Sequence, residues 1–515
     1  MNFFNKEKFL IDVPVKNRDA LTLAIAFPNS YSIGMASLGY QTAWKYLNQS
    51  KNINTIRYFT DIQEKNSDNP AYIGFSFSWE LDYKNILEML EKNQIPIYSD
   101  ERKDFDPLIF AGGVVPSANP EPFAAFLDFF LIGDLETVYK DFLEVLHEIK
   151  DLKREEKLLR LSKLSFIYVP SMSNKLIKKE VSKDLLSYSS ILTENSIWPN
   201  TFIVEVVRSC PELCRFCLAS YGSLPFRTPD LKEKLIPVIE LGLKHTNKIG
   251  LLGPSITQHP EFESLINCLL AKKGSSELQV QIASVRADTI SQNLAEGLHK
   301  LGTKSITMAV ESGSERLRKI INKKVSNETI INSIQTIYNA GFKSIKLYGM
   351  VGLPYETQDD IEETIKLLKS LKLKTKNLQL TWGSSVFVPK ASTPFQWYGV
   401  DKESDKKLKF LSRELHKTGI AFKPESYKWA KVQALLSRGD RTLAKCLEKV
   451  YRYGFTLGSF NKVFKEENVD IDHYMFKTWD KNTKLPWENI QGHLNKETVL
   501  KHKIEVEKKG LRDRG

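Results

Sequence analysis

Cysteine is scarce in this chain of 515 residues: there are five, and none precedes Cys210. A disulfide framework belongs to short secreted chains, and this chain is neither short nor visibly secreted. Long apolar runs are missing too. The longest, FAAFLDFFLI at 123–132, contains Asp128 and is too short to span a bilayer. The opening residues, MNFFNKEKFL, lack the apolar stretch of a signal peptide. Free thiols without an export signal point to a reducing cytoplasm and no membrane span. Acidic charge is in deficit, since 74 Lys and Arg against 62 Asp and Glu leave a net +12. The excess is mostly Lys scattered along helix faces, with no dense Arg block, RNA-recognition motif or zinc knuckle. It permits an RNA partner without requiring one. With 42% hydrophobic and 26% charged residues, the composition is that of a globular protein. The length calls for more than one domain.

What cysteine there is lies close together. Cys210-Pro-Glu-Leu-Cys214-Arg-Phe216-Cys217 is a C-x3-C-x2-C triad with an aromatic residue before its last member. A structural zinc site needs a fourth Cys or His, and Cys268 and Cys446 stand apart. Three thiolates can hold three irons of a four-iron cluster, which normally takes four cysteines. The remaining iron stays open, as in catalytic metal sites.

The fold class expected is α/β. In residues 1–165, strand patterns at 21–27, 55–59, 72–78, 107–113 and 128–134 alternate with helix patterns at 35–47, 80–93 and 135–149. This is a Rossmann-like half, with a parallel sheet covered by helices. Ligands of such sheets sit beyond the C-terminal strand ends. Asn29, Tyr31 and Gly34 fall in one such loop, Gly112 and Gly113 in another. Residues 166–200 read as a connector in which 166–172 and 176–185 pair as strands. Residues 201–400 hold six strand candidates, at 201–207, 248–253, 278–285, 305–311, 344–352 and 377–387, separated by helix patterns. Such repeats imply a partial (β/α)6 barrel with the cysteine loop after its first strand. Residues 401–515 read as a basic, mainly helical domain. It contains a helix at 435–454, arginines 438 and 441 facing either local acids or an anion, and a charged, peripheral last stretch.

The triad resembles the signature of the radical S-adenosylmethionine (SAM) superfamily. The resemblance implies a [4Fe-4S] cluster on Cys210, Cys214 and Cys217, with SAM chelating the open iron and Phe216 near its adenine. One electron, from a reductant such as ferredoxin or flavodoxin, would cleave SAM to methionine and a 5′-deoxyadenosyl radical. The strand ends would then hold SAM: Gly253; Ser284 and Arg286; Glu311; Gly349 and Gly352. Each has a plainer alternative. Gly253 can be a simple turn, Arg286 can pair with Asp288, and Thr357 caps the helix after Gly352. Gly349 and Gly352 would admit a ligand against the backbone. MAVESGSERL and GMVGLPYET make the core similar to that of the elongator catalytic subunit and the methylthiotransferases. Methylthiotransferases carry a further three-cysteine cluster in their N-terminal domain, which the cysteine-free first 209 residues cannot supply.

The first domain resembles a cobalamin-binding domain. That family's D-x-H-x-x-G motif reads here Asn29-x-Tyr31-x-x-Gly34, without the imidazole that ligates cobalt. Two readings stay open: cobalamin held without a protein lower ligand, or a domain that reads substrate. The order of motifs resembles an uncharacterised bacterial group of radical SAM proteins with an N-terminal cobalamin-binding-like domain. The expected activity is C–H activation of an unknown substrate, by methylation or rearrangement. The alternatives are an enzyme modifying tRNA or rRNA, and a non-catalytic factor that binds the cluster, SAM or RNA.

Overall fold

The structure is a computed structural model that describes residues 3–66, 69–172, 175–273 and 277–512. It divides into two compact units. The first comprises Met1–Thr201, Leu435–Ile471 and Lys484–His493, and the second Phe202–Ala434, Asp472–Thr483 and Leu494–Gly515. The separate domain expected at 401–515 is therefore shared out between the two units. Apolar tail positions such as Leu443, Leu447 and Val450 are fully buried within the first unit rather than in a core of their own.

The first unit is built on six strands: β1 (Leu21–Ala26), β2 (Ile53–Tyr58), β3 (Tyr72–Ser76), β4 (Leu108–Gly112), β5 (Phe129–Leu131) and β6 (Ile167–Tyr168). Their order is β2-β1-β3-β4-β5-β6. All neighbours are parallel except β5 and β6. The strands are near-continuous apolar runs because helices cover the sheet. Leu23, Ile25, Phe110 and Phe129 pack with Trp44 of the helix Leu38–Leu47 and Phe142 of the helix Leu135–Glu148. Strand order reverses between β1 and β3, so the crevice for a ligand opens between the loops that follow them.

Two expectations are corrected here. Segments 166–172 and 176–185 do not pair with each other. Ile167–Tyr168 pairs with β5, and Ile177–Lys178 pairs with Ile490–Gln491, which supplies a strand partner from far along the chain. The helix expected at 435–454 is broken. Tyr427–Arg438 ends at Gly439, where a Cβ would meet Leu443 at 2.4 Å, and Ala444–Arg452 follows a short turn. The Asp440 side chain caps that turn by accepting from the Thr442 amide at 2.9 Å.

The second unit carries seven strands: β7 (Phe202–Glu205), β8 (Lys248–Leu252), β9 (Gln279–Ile282), β10 (Ile306–Glu311), β11 (Ser344–Val351), β12 (Gln379–Val386) and β13 (Ala421–Pro424). They form two parallel sheets, β7-β8-β9 and β10-β11-β12-β13, linked by a parallel bridge between Val285 and Met308. The barrel is open. The first six strands match the expected units. The seventh was not expected, because AFKP is short and ends in proline, which an edge strand tolerates. Thr357 and Asp360 close a capping box on the helix Gln358–Lys374, as expected.

The last helix, Lys496–Arg512, is not peripheral within this unit. Val506 is fully buried with Leu317, Phe387 and Phe395, a core that the sparse apolar positions of the helix complete. Among the described residues no helix is long and apolar enough to cross a membrane.

Candidate active site

The cysteine loop leaves the C-terminal end of β7 and is held by backbone-directed hydrogen bonds. Ser220 Oγ donates to the Cys210 carbonyl at 2.6 Å and accepts from the Leu213 amide at 3.1 Å. Asn322 Nδ2 donates to the carbonyls of Glu212 and Leu213 at 2.9 and 3.0 Å. Ser209, Leu213, Asn322 and Glu311 all take positive φ, between 51° and 69°. Such strained non-glycine positions gather where surrounding structure over-determines the backbone, commonly at functional sites.

The three thiols interact electrostatically with one another, and Cys214 and Cys217 also feel Glu311. Burial pushes the Cys214 thiol up to about 12 and raises Cys217 as well. Ligation by iron favours the thiolate that burial disfavours. Among the described residues no three His, Cys, Asp or Glu side chains close on a single metal ion. The loop carries three thiols, the number that three irons of a cluster take at one thiolate each.

A ring of charge surrounds the loop. Lys323 Nζ lies 3.3 Å from the Glu311 carboxylate, and both are largely buried. Burial pulls the Lys323 ammonium down, and Glu311 and Cys214 more than offset this, so its affinity for the proton is raised. Gln258 Nε2 donates to Glu212 at 2.7 Å, and its Oε1 faces Cys210 Sγ at 3.7 Å. Neither Lys323, Asn322 nor Gln258 was among the expected site residues. The basic run that ends KIINKK was the only sequence signal for the first two.

Of the expected SAM residues, Phe216 and Glu311 converge on the loop. Phe216 packs against the buried cluster that contains Leu353 and Phe387. Arg286 follows the plainer alternative. Its Nε and Nη2 donate to Asp288 at 2.9 and 2.7 Å, with Glu212 at 3.5 Å, so its fork of donors faces protein acids. Ser284 is half-buried just beyond β9. The glycines make room for protein atoms. A Cβ at Gly253 would stand 2.6 Å from the Val207 carbonyl, at Gly349 2.0 Å from Trp382, and at Gly352 2.3 Å from Ser404.

The terminal helix braces this loop. Arg215, inside the triad, donates to the Ile320 carbonyl at 2.7 Å and pairs with Glu505 at 3.3 Å. Tyr221 shares a 2.9 Å hydrogen bond with His502.

In the first unit the expected ligand loops part company. Tyr31 is fully buried. Its hydroxyl donates to Glu7 at 2.7 Å, and its ring packs on Phe3, Phe4 and Phe59. Glu7 is also gripped by Arg57 at 2.8 and 2.7 Å. Gly34 gives way to Phe59, and Gly113, at φ +115°, to the Phe77 carbonyl. A Cβ at Gly112 would make only ordinary contact, 3.6 Å from the Leu131 carbonyl. Tyr31 therefore does not fit the role of an axial metal ligand. Of the two arginines, Arg438 is fully buried, and Arg441 pairs with a local acid, Glu121, at 2.8 Å.

The loops around the crevice expose apolar side chains beside the polar Ser78. Ile33 after β1, Trp79 after β3 and Val114 after β4 are exposed. Below them Asn29 Nδ2 faces Asp82 at 3.4 Å. Burial raises the Asp82 carboxyl to about 6, against a smaller lowering by Asn29. Such a rim suits a large flat apolar-faced ligand.

Both units of the chain are similar to known proteins. Residues 39–170 match the family described as radical SAM proteins, N-terminal, and residues 204–368 match the radical SAM superfamily. An uncharacterised protein of Methanocaldococcus jannaschii is 30% identical over 472 residues, covering 91% of this chain and 98% of that protein. The chain belongs to the radical SAM superfamily and is an enzyme of the class that binds a [4Fe-4S] cluster and SAM. A threonylcarbamoyladenosine tRNA methylthiotransferase of Aquifex aeolicus is 22% identical, covering 54% of this chain and 64% of that enzyme. The structure of the radical SAM methyltransferase TsrM from Kitasatospora setae, with cobalamin and a [4Fe-4S] cluster bound, superposes with a TM-score of 0.56. That match has 9% identity and covers 84% of this chain and 99% of that one, which shows a shared fold.

Proposed function

We propose that the chain is a cytoplasmic radical SAM enzyme that modifies an unactivated carbon, most simply by methyl transfer. In this reading Cys210, Cys214 and Cys217 hold the cluster, and Phe216, Glu311 and Lys323 flank SAM. The observation that carries it is the convergence of three coupled thiols with the buried Glu311–Lys323 pair at one end of the parallel strands. When bound, cluster and SAM together supply a 5′-deoxyadenosyl radical after one-electron reduction by a ferredoxin- or flavodoxin-like donor. The protein's own residues orient and exclude water: Phe216 and Leu353 form the apolar wall, and Lys323 balances the charge of the thiolates and Glu311.

Methyl transfer is favoured over sulfur insertion by the first unit. Its one cysteine, Cys446, cannot supply a second three-cysteine cluster. Its rim of Ile33, Trp79 and Val114 suits a corrinoid held without a protein axial ligand, since Tyr31 is committed to Glu7. A bound corrinoid would supply methyl-transfer chemistry. The relatedness to tRNA-modifying enzymes supports an RNA substrate as a second reading.

Anaerobically reconstituted protein is expected to show the charge-transfer absorbance of a four-iron cluster, and to form 5′-deoxyadenosine from SAM with dithionite. Cys214→Ala should lose both. Wild type that cleaves no SAM under strong reduction, or a Cys214→Ala variant with intact turnover, overturns the proposal.

A further inference from the structure

The inner face of the barrel is polar on one side and carries two free lysines there, with one exposed acid, Glu425, just past the end of β13. Val351, Val386 and Phe422 pack against the helices Gln358–Lys374 and Ser404–His416. The alternate residues of β11, β12 and β13 therefore point away from the helices, to the inner face. In register these are two rows: Thr307, Lys346, Thr381 and Ala421, then Ala309, Tyr348, Gly383 and Lys423.

Both lysines are exposed, and among the described residues neither ammonium has an ion-pair or hydrogen-bond partner. Tyr348 is 48% exposed, though it stands inside a barrel strand whose helix-facing neighbours, Leu347 and Val351, are fully buried. Its ring lies over Gly383, where a Cβ would come within 2.7 Å of the ring carbons. One side of the ring thus rests on backbone and the other is open. Lys346 stands two residues before Tyr348, roughly 7 Å away along the strand, and Lys423 stands two strands across, roughly 10 Å away. The acid at the end of β7, Glu205, is already paired with Arg208 at 2.7 Å. Glu311, at the candidate active site, pairs in register with Gly349, the residue after Tyr348. Tyr348 therefore stands about one strand residue, ~3.3 Å, and Lys346 about three, ~10 Å, before the register position of Glu311.

We propose that this patch holds the substrate, and that the substrate is nucleotide-like. Its planar base lies on Tyr348 and its phosphate is bound by Lys346 and Lys423. Stacking on an aromatic ring and charge-assisted contact with phosphate are the recurring means of holding a nucleotide without reading its sequence. The inference rests on the reading of the neighbouring site as the radical source. The chemistry recognised is the same whether the nucleotide is free or part of an RNA chain.

The test uses full-length, cluster-loaded protein with SAM, titrated with the common nucleoside 5′-monophosphates, their nucleosides, inorganic phosphate and a short single-stranded RNA. At least one monophosphate should bind, with its nucleoside about tenfold weaker. Lys346→Met with Lys423→Met should weaken the monophosphate about tenfold or more, whereas Lys428→Met, at an exposed lysine outside the patch, should not. Tyr348→Ala should weaken the monophosphate but not inorganic phosphate. Tighter binding of RNA with the same lysine dependence assigns the nucleotide to an RNA chain; equal binding assigns it to a free nucleotide. Failure of every probe to bind, or binding indifferent to the two lysines, overturns the inference. Formation of 5′-deoxyadenosine by the same wild-type preparation is read separately. If SAM is cleaved while binding ignores the lysines, this inference alone fails. If SAM is not cleaved, the radical reading fails, whatever the lysines do.

Discussion

The two units end their parallel strands in loops of opposite character. In the second unit the loops bring together thiols, Glu311, Lys323, Arg286 and Glu212, nearly all engaged with one another. In the first unit the loops expose apolar side chains, and the residue at the expected ligand position, Tyr31, is withdrawn beneath Phe3 and Phe4. A charged rim can hold an ionic cofactor by coordination. An apolar rim can hold a flat one by contact area alone. Similar sheet geometry thus presents two kinds of surface, and the difference lies in which side chains the loops keep in the crevice.

The sharpest way to break the contrast is to disturb what withdraws Tyr31. Glu7 and Arg57 form a fully buried pair, with Glu64 on the same guanidinium and the Phe4 ring 4.8 Å above it. Removing Glu7 leaves the buried guanidinium with Glu64 as its one remaining acid, at a cost toward the low end of the about 3–5 kcal/mol of a broken buried pair. Glu7→Ala should therefore lower amide-exchange protection across 21–60 while cluster content stays unchanged. Equal protection would show that the N-terminal segment does not hold the first unit together.

The corresponding change in the second unit is Gly349→Ala. The added methyl would overlap Trp382 and crowd the Glu311 carbonyl at 2.8 Å. Overpacking of this kind costs about 1–3 kcal/mol and would shift the β10 end that carries Glu311. Formation of 5′-deoxyadenosine should fall more than cluster content does. If both fall together, Gly349 serves the fold only.

Much of this was legible in the sequence, and its limits have physical causes. The βα units could be read because each strand is a short apolar run and each helix begins at a cap such as Thr357 with Asp360. The triad was legible because its members are close in sequence. What failed was long-range pairing. Tyr31 meets Glu7 across 24 residues, and Asn322 clamps Glu212 across 110. Arg286 had two readings of equal standing, and only the position of Asp288 distinguishes them. The terminal helix looked peripheral because only scattered apolar positions, Val499 and Val506 among them, carry its docking.

A smaller effect follows from Asp82. Burial raises its carboxyl from 3.8 to about 6, so the folded state favours the protonated form. The stability this gives is complete below about pH 4 and is lost as pH rises through about 6. Asp82→Asn keeps a neutral group at every pH, so the variant should gain on wild type as pH rises from 4 to 8. After screening the gain is at most about 1 kcal/mol. A melting curve with the same pH dependence in both proteins would show that Asp82 is solvated.

The smallest effect is expected where the contrast is most exposed to test. Tyr31→Phe removes the hydroxyl that donates to Glu7, but the Glu7 carboxylate keeps both Arg57 bonds and the ring keeps its aromatic neighbours. The loss is one hydrogen bond among several on a charged acceptor, about 1 kcal/mol or less. If the rim holds a corrinoid by contact alone, wild type and Tyr31→Phe purified with hydroxocobalamin should carry the same corrin absorbance. Trp79→Ala, which removes contact area, should lower occupancy. A corrin spectrum that shifts in Tyr31→Phe but not in Trp79→Ala would mean that the phenol reaches the metal. Position 31 would then be a ligand, and the two units would hold their cofactors by the same means.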